Sequence, residues 1–293
     1  MGNKRHVGLI LAVLSSIFWS INAPLIKSLD LNAFLLVGMR SLIAGLALLP
    51  AVRLKRIKWN IHTFMMLAVF VIQVTCIVTA LKLTAAPVAV GMQFTAPVWL
   101  YLMERKKGDP VSLKRIWPLL FLLSGIILFM CSGSGSSTLL GNFAALVTSF
   151  TFAAFTYFSK RLAGDNPVGM ASLCNLFAAL IVLGFIIKDP LASIAAISNN
   201  EWLLLIVLGV LQMGGGYACY ALSLRSISAK TAAMVTPLEM ILGVVWVAIF
   251  LHEIPDIISI IGFALITAGV LGEIWSGQKP VPSNQAAEIS GGL

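Results

Sequence analysis

Runs of about 20 apolar residues alternate with short polar interruptions along most of the chain. An α-helix rises 1.5 Å per residue, so a run of that length matches the roughly 30 Å hydrocarbon core of a bilayer. Ten runs can be drawn, at about 7–28, 32–51, 61–82, 84–103, 116–132, 139–159, 168–188, 202–223, 230–251 and 256–275. The pattern predicts an all-α polytopic membrane protein of ten transmembrane helices, joined by loops too short to hold a soluble domain.

The second five runs echo the first. Gly38-Met39-Arg40-Ser41-Leu42 recurs as Gly169-Met170-Ala171-Ser172-Leu173. Ala80-Leu81-Lys82-Leu83 followed by Thr95-Ala96-Pro97 recurs as Ala221-Leu222-Ser223-Leu224 followed by Thr236-Pro237. A unit with an odd number of spans flips when it repeats. The echo therefore predicts two inverted five-helix repeats facing each other in one membrane, the arrangement of alternating-access transporters. This divides the chain into a first repeat over residues 1–132, a flexible Gly/Ser-rich linker at 133–137 and a second repeat over 138–276. A polar segment over 277–293 is expected to form a disordered cytoplasmic tail.

Composition agrees with the pattern. Of the residues 59% are hydrophobic and 11% charged, with a mean hydropathy of +0.98, whereas a soluble domain carries about 25% charged residues. The net charge of +9 would suggest nucleic acid in a soluble protein. Here the basic residues sit in short interruptions, and no separate domain exists to bind a polynucleotide. With the N-terminus inside, sixteen Lys and Arg residues fall on the cytoplasmic side and only Lys27, Lys82 and Lys188 on the other. That bias predicts cytoplasmic N- and C-termini in the inner (cytoplasmic) membrane. The four cysteines lie in or at the ends of apolar runs with no CxxC pair, so neither zinc nor a redox dithiol is signalled.

Several short motifs resemble the EamA family of the drug/metabolite transporter superfamily. Phe18-Trp19-Ser20-Ile21-Asn22 is similar to the family's Trp-small-x-Asn pattern in the first helix, and Arg40 to an Arg often seen in the second. Pro97 and Pro237 resemble the prolines of the fourth and ninth helices, with Glu104 and Glu253 as the acidic residues that close them. The resemblance runs to about residue 275. It implies ten helices in two inverted repeats around a central cavity, and transport of small organic solutes such as amino acids, often by export.

Glu239 is the sharpest candidate for chemistry. It lies about nine residues into an apolar run, roughly 13 Å deep at 1.5 Å per residue. A carboxylate at that depth must face a cavity, pair with a cation or be protonated. One reading makes it a ligand for a substrate amine or a proton-coupling site; the other makes it a neutral acid packing one helix to another. Arg40 is the candidate charge partner at comparable depth, as counter-ion of Glu239 or anchor for a substrate carboxylate. The plainer reading has Arg40 snorkel to the outer interface or bind helix carbonyls. By the resemblance the second and seventh helices lie away from the cavity, which favours the plainer reading.

A polar set shares the same depth: Ser20 and Asn22, Gln73 and Thr75, Gln93 and Thr95, Gln212 and Tyr217. Side-chain amides both donate and accept, which suits a zwitterion, although each alone can glue one membrane helix to another. The expected substrate-binding residues are Trp19, Asn22, Gln73, Gln93, Tyr217, Glu239 and Trp246, with Glu239 also in the coupling role. Gly214-Gly215-Gly216 interrupts the eighth run, either as a hinge or for close helix contact. No histidine lies deep in a run, and no metal-spaced cluster, Ser-His-Asp set or phosphate-binding Gly-Lys loop is present in the sequence. No enzyme, cofactor or metal is therefore expected. The expected partners are a small-molecule solute and the lipid bilayer, and a homodimer stays open. The leading reading is a secondary transporter of small organic metabolites working by alternating access, with export favoured by resemblance. Its rivals are an uptake transporter for an amine or amino acid and a non-transporting membrane-embedded binding or assembly subunit.

Overall fold

Short polar side chains start the helices, and prolines interrupt them. Asn32, Asn60, Asn166, Ser198 and Ser228 each accept a hydrogen bond from a backbone N–H of the following turn, satisfying a donor that has no partner within the helix. The computed structural model describes residues 2–104, 113–132, 138–162, 166–251 and 257–276. The linker at 133–137, Glu253 and the tail at 277–293 lie outside the described residues.

In chain order the helices of the first half are α1 (Gly2–Ser20), α2 (Asn22–Ser28), α3 (Ala33–Leu48), α4 (Ile61–Leu83), α5 (Ala86–Gln93), α6 (Ala96–Glu104) and α7 (Leu113–Ser132). They continue as α8 (Leu139–Leu162), α9 (Pro167–Ile181) with a π-helical extension (Val182–Ile186), and a short α10 (Pro190–Ala195). Then come α11 (Asn199–Val207), a π-helix (Leu208–Gly215), α12 (Gly216–Ser223), α13 (Ala229–Val235), α14 (Leu238–Leu251) and α15 (Ile257–Ser276). No strand occurs among the described residues.

Six helical stretches are long and apolar enough to cross a membrane: Lys4–Ser28, Ala33–Ala51, Ile61–Leu83, Leu139–Leu162, Pro167–Ile186 and Asn199–Ser223. Shorter apolar helices cover Val88–Met103, Ile116–Leu128 and Ile260–Trp275. Several of the ten expected runs are interrupted rather than continuous, and at three of them proline chemistry supplies the reason. A proline lacks the N–H of an i→i−4 bond, and its ring clashes with the carbonyl four residues back. Pro24 opposes the Ser20 carbonyl and the chain breaks at Ile21, between α1 and α2. Pro97 and Pro237 split the fourth and ninth runs into α5/α6 and α13/α14. Beside each of these two breaks a threonine takes up a backbone carbonyl: Thr95 Oγ1 donates to Met92 O at 2.8 Å, and Thr236 Oγ1 to Ala233 O at 2.9 Å. Such substitutes keep broken helices tolerable at membrane depth.

The most extensive packing joins α7 to α15, α4 to α8, α3 to α9 and α1 to α12. Further packing sets α3 against the π-helix, α5 and α6 against α8, α4 against α9, and α14 against α1. The α7–α15 contact requires glycine on both sides. A Cβ on Gly125 would lie 2.5 Å from the Gly262 carbonyl oxygen, and one on Gly269 would lie 2.7 Å from that of Pro118. Small residues of this kind let membrane helices approach backbone to backbone. α4 and α8 run antiparallel. At one end Thr138 N donates to Leu83 O (3.1 Å) and Thr84 Oγ1 to Asn142 Oδ1 (2.7 Å); at the other Arg161 Nη1 meets His62 Nε2 (3.1 Å).

Burial is inverted relative to a protein in water. Leu139, Phe185 and Leu191 are among many large apolar side chains facing outward, while Arg40, Asn22, Gln73 and Glu239 are buried. An outward apolar surface of this extent is the surface that lipid would cover.

Candidate functional site

The helix interruptions carry the polar side chains inward. Trp19 lies two residues before the break at Ile21, and Asn22 opens α2 just after it. Gln93 ends α5 ahead of the Thr95 break, and Glu239 is the second residue of α14 behind the Thr236-Pro237 break. Gln212 sits in the π-helix, and Tyr217 follows directly in α12. π-Helical turns of this kind recur at functional sites. Arg40 from α3 and Gln73 from α4 complete the polar side chains.

These residues meet around one central cavity. Its lining is Trp19, Asn22, Arg40, Gln73, Ile77, Gln93, Phe152, Gln212, Met213, Tyr217 and Glu239. Arg40 is 1% exposed; its Nη1 donates to Asn22 Oδ1 at 2.9 Å and its Nη2 to Val74 O at 3.4 Å. Gln73 Nε2 donates to the Tyr217 hydroxyl at 3.0 Å, bridging α4 and α12 across the cavity. Trp19 stands edge-on to Tyr217 and Phe152, with ring centroids 5.0 and 5.8 Å apart. Gly216 permits this: a Cβ there would collide with the Trp19 indole nitrogen.

Unpartnered atoms converge on the same cavity. Buried polar atoms in proteins are nearly always hydrogen-bonded. Here Trp19 Nε1, Arg40 Nε, Gln93 Oε1, Gln212 Oε1 and Glu239 Oε2 are buried without a hydrogen-bond partner. Two are donors and three are acceptors, and one of each sign carries formal charge when ionised. The cavity volume of about 20 Å³ exceeds the roughly 10–15 Å³ that one water needs but is far below the several hundred Å³ of an organic-ligand pocket. The site is held contracted in this conformation.

Six of the seven side chains expected to bind substrate, all but Trp246, line this cavity. Trp246 is outside the lining set; its Nε1 donates to Ser20 Oγ at 2.7 Å, tying α14 to α1. Arg40 does not snorkel. It turns inward to Asn22 and the cavity, so its helix does reach the centre, contrary to the expectation drawn from the resemblance. The reason is local: Asn22 and the Val74 carbonyl supply acceptors that an apolar interior otherwise lacks. No ion pair joins Arg40 to Glu239 among the described residues, although both face the same space. Thr95 is committed elsewhere, its hydroxyl 2.7 Å from Ser149 Oγ on α8. Gln212 is legible as an amide in an apolar run. Ile77, Phe152 and Met213 carry no sequence signal, because an apolar residue facing a cavity reads like one facing lipid. Among the described residues no group of His, Cys, Asp and Glu could hold a metal ion.

A sequence model of the EamA-like transporter family matches residues 6–131 and again residues 139–274. An uncharacterized transporter, YxxF of Bacillus subtilis (strain 168), is 24% identical over 194 residues, covering 64% of this chain and 61% of the relative. An uncharacterized transporter of Clostridium kluyveri is 26% identical over 205 residues, covering 67% of this chain and 64% of the relative. Each alignment thus spans less than two thirds of the relative's own length. A protein of known crystal structure superposes with a TM-score of 0.74 at 18% identity, over 90% of this chain and 95% of that one, which establishes the likeness of fold.

Proposed function

Because the chain belongs to the EamA-like transporter family, we propose that it is a secondary transporter of small organic metabolites, amino acids or related zwitterions, working by alternating access. The observation that carries this reading is the set of unpartnered atoms around the cavity. Arg40 Nε and Trp19 Nε1 present N–H groups to an anionic end, while Glu239, Gln93 and Gln212 present oxygens to a cationic end. A zwitterion supplies both. Its arrival would give partners to buried groups that otherwise bear an uncompensated desolvation penalty.

In this reading the ten runs form two inverted repeats in the inner (cytoplasmic) membrane with both termini inside. Three observations support the duplication. The family model matches twice, once in each half. The fourth and ninth runs break at corresponding threonine–proline sites. The packing pattern also maps onto itself when the halves are exchanged: α4 against α8 becomes α12 against α1, while α3–α9 and α7–α15 each map to themselves. Exchange symmetry of that kind is what two inverted repeats produce around a shared axis.

The contracted cavity makes movement part of the mechanism. A solute larger than water requires the helices around the site to part, and the breaks at Ile21, Thr95 and Thr236 and the π-helix lie where they would flex. Glu239 is the proposed coupling residue, carrying a proton in one direction and exchanging it with the substrate ammonium. Export is the direction suggested by likeness to the family.

Two measurements test the proposal. Purified protein is screened for thermal stabilisation by amino acids, polyamines, nucleosides and drugs. A ligand at a hundredfold its dissociation constant stabilises by about 2.7 kcal/mol. The stabilising solute is then followed across proteoliposomes containing this chain alone. Flux of unmodified solute is expected. Binding without flux would replace the transporter by a binding or assembly subunit, and flux unaltered in rate and pH dependence by Glu239→Gln would remove the coupling role.

A further inference from the structure

Two lysines outside the cavity make the same contact at opposite ends of the molecule. Lys27 lies in the last turn of α2, which completes the first run, and its Nζ donates to the carbonyl of Thr84, the residue that caps the C-terminus of α4, at 3.3 Å. Lys160 lies in the last turn of α8, and its Nζ donates to the carbonyl of Leu224, which caps α12, at 2.6 Å. In each half, the last turn of the first run thus clasps the end of the third. The two contacts face opposite ways. Thr84 sits at the end of the α4–α8 pair where α8 begins, and Lys160 at the end where α8 finishes.

The physics favours a releasable contact. The last carbonyls of a helix have no partner within it and carry the negative end of its dipole, so an ammonium is attracted there. A lysine is a compact charge on a flexible stem, able to leave for water without disturbing the fold. Each clasp is also reinforced in its own way. Lys82 of α4 returns a bond to the Leu29 carbonyl at the end of α2, and Lys160 takes a second carbonyl, Ile227 O, at 2.7 Å. The hydroxyl of Ser223, the sequence counterpart of Lys82, turns back instead to its own helix, donating to Tyr220 O at 2.7 Å. The helices so joined are those that carry Asn22, Gln73, Phe152 and Tyr217 into the cavity.

We propose that Lys27 and Lys160 are paired latches, one at each membrane face, which close the two routes to the central cavity by turns. Both are engaged here, in keeping with the contracted cavity. The inference rests on the transporter reading above and adds which residues set the sidedness of opening. Releasing Lys27 frees the Thr84 end, and releasing Lys160 frees the Leu224 end.

The test reads sidedness, which a merely structural role would not move in opposite senses. Cys76, Cys131, Cys174 and Cys219 are replaced, and Met213→Cys places one thiol in the cavity. A membrane-impermeant maleimide is then applied to either side of sealed proteoliposomes. Lys27→Gln is expected to raise labelling from the face of Thr84 by about tenfold, the scale set by losing one charge-assisted hydrogen bond. Lys160→Gln should raise labelling from the opposite face. The double variant should favour neither face, and Lys→Arg at either position should keep the parent's pattern. Lys27→Met and Lys160→Met, which retain the aliphatic stem, repeat the test where a glutamine variant does not fold. Equal labelling of either single variant from both faces, a shift of both single variants toward one face, no change, or failure of every neutral variant to fold would each overturn the latches. Solute flux by the parent separates the two readings. A parent without flux fails the transporter proposal, whereas a fluxing parent with unmoved sidedness fails only the latches.

Discussion

Replacing Glu239 by leucine should make this protein more stable and less able to bind. The side chain is 6% exposed, and its Oε2 has no hydrogen-bond partner. An unsatisfied buried polar atom costs about 1–3 kcal/mol, which an apolar side chain of similar size removes. Glu239→Leu is therefore expected to gain about 1–3 kcal/mol in the absence of solute. The same change deletes one of the three acceptors offered to a cationic group. The roughly 2.7 kcal/mol that a ligand confers at a hundredfold its dissociation constant should then fall toward zero. Both quantities come from one experiment, thermal denaturation in detergent with and without the stabilising solute. Opposite signs are the signature of a residue kept for function at the expense of stability. A less stable Glu239→Leu variant would refute the reasoning, because it would show that the carboxyl holds helices together in the resting protein. Glu239→Gln separates charge from shape, since it keeps one acceptor oxygen and adds a donor.

Other consequences follow from the same geometry. Asn22→Ala leaves the Arg40 guanidinium short of its 2.9 Å acceptor and should destabilise by about 1.5–3 kcal/mol. In the double variant with Arg40→Met much of that loss should disappear, and strict additivity in a denaturation cycle would show that the contact carries no coupling. Gly216→Ala drives a methyl group into the Trp19 indole and should cost about 1–3 kcal/mol; an unchanged tryptophan emission spectrum and melting point would argue against the close approach. Lys230→Met removes the 2.9 Å ion pair from the buried Glu273 carboxylate, which keeps the Thr231 hydroxyl at 3.2 Å, and should cost about 1.5–3 kcal/mol, with Glu273→Gln in the same background restoring most of it in a melting experiment.

The apolar runs, the echo between the halves and the polar set at common depth are legible from residue order alone. Each depends only on local chemistry: the hydrophobicity of about 20 neighbours, the recurrence of a short string, the high cost of an amide or acid in hydrocarbon. Proline positions are legible too, although their effect is not. Pro24, Pro97 and Pro237 announce interruptions, yet only the folded chain shows that the breaks at Ile21, Thr95 and Thr236 bring Trp19, Asn22, Gln93 and Glu239 to one place. Trp246 shows the converse. It shares the depth and the residue type of a lining group, but the approach of α14 to α1 commits its N–H to Ser20.

Arg40 marks the limit most sharply. From the sequence, a long cationic side chain eight residues into a helix can reach outward to water or inward to a partner, and residue order alone does not supply the acceptors that choose between them. Tertiary structure decides between them by setting Asn22 Oδ1 and the Val74 carbonyl within reach of its guanidinium. The lysine clasps are of the same kind, since Lys27 and Lys160 look like ordinary span-end charges until the ends of α4 and α12 arrive beside them. Hydropathy acts along the chain and so determines which segments become helices and which avoid lipid. Which way a polar side chain points depends on acceptors brought from residues far away in sequence, and packing alone supplies those.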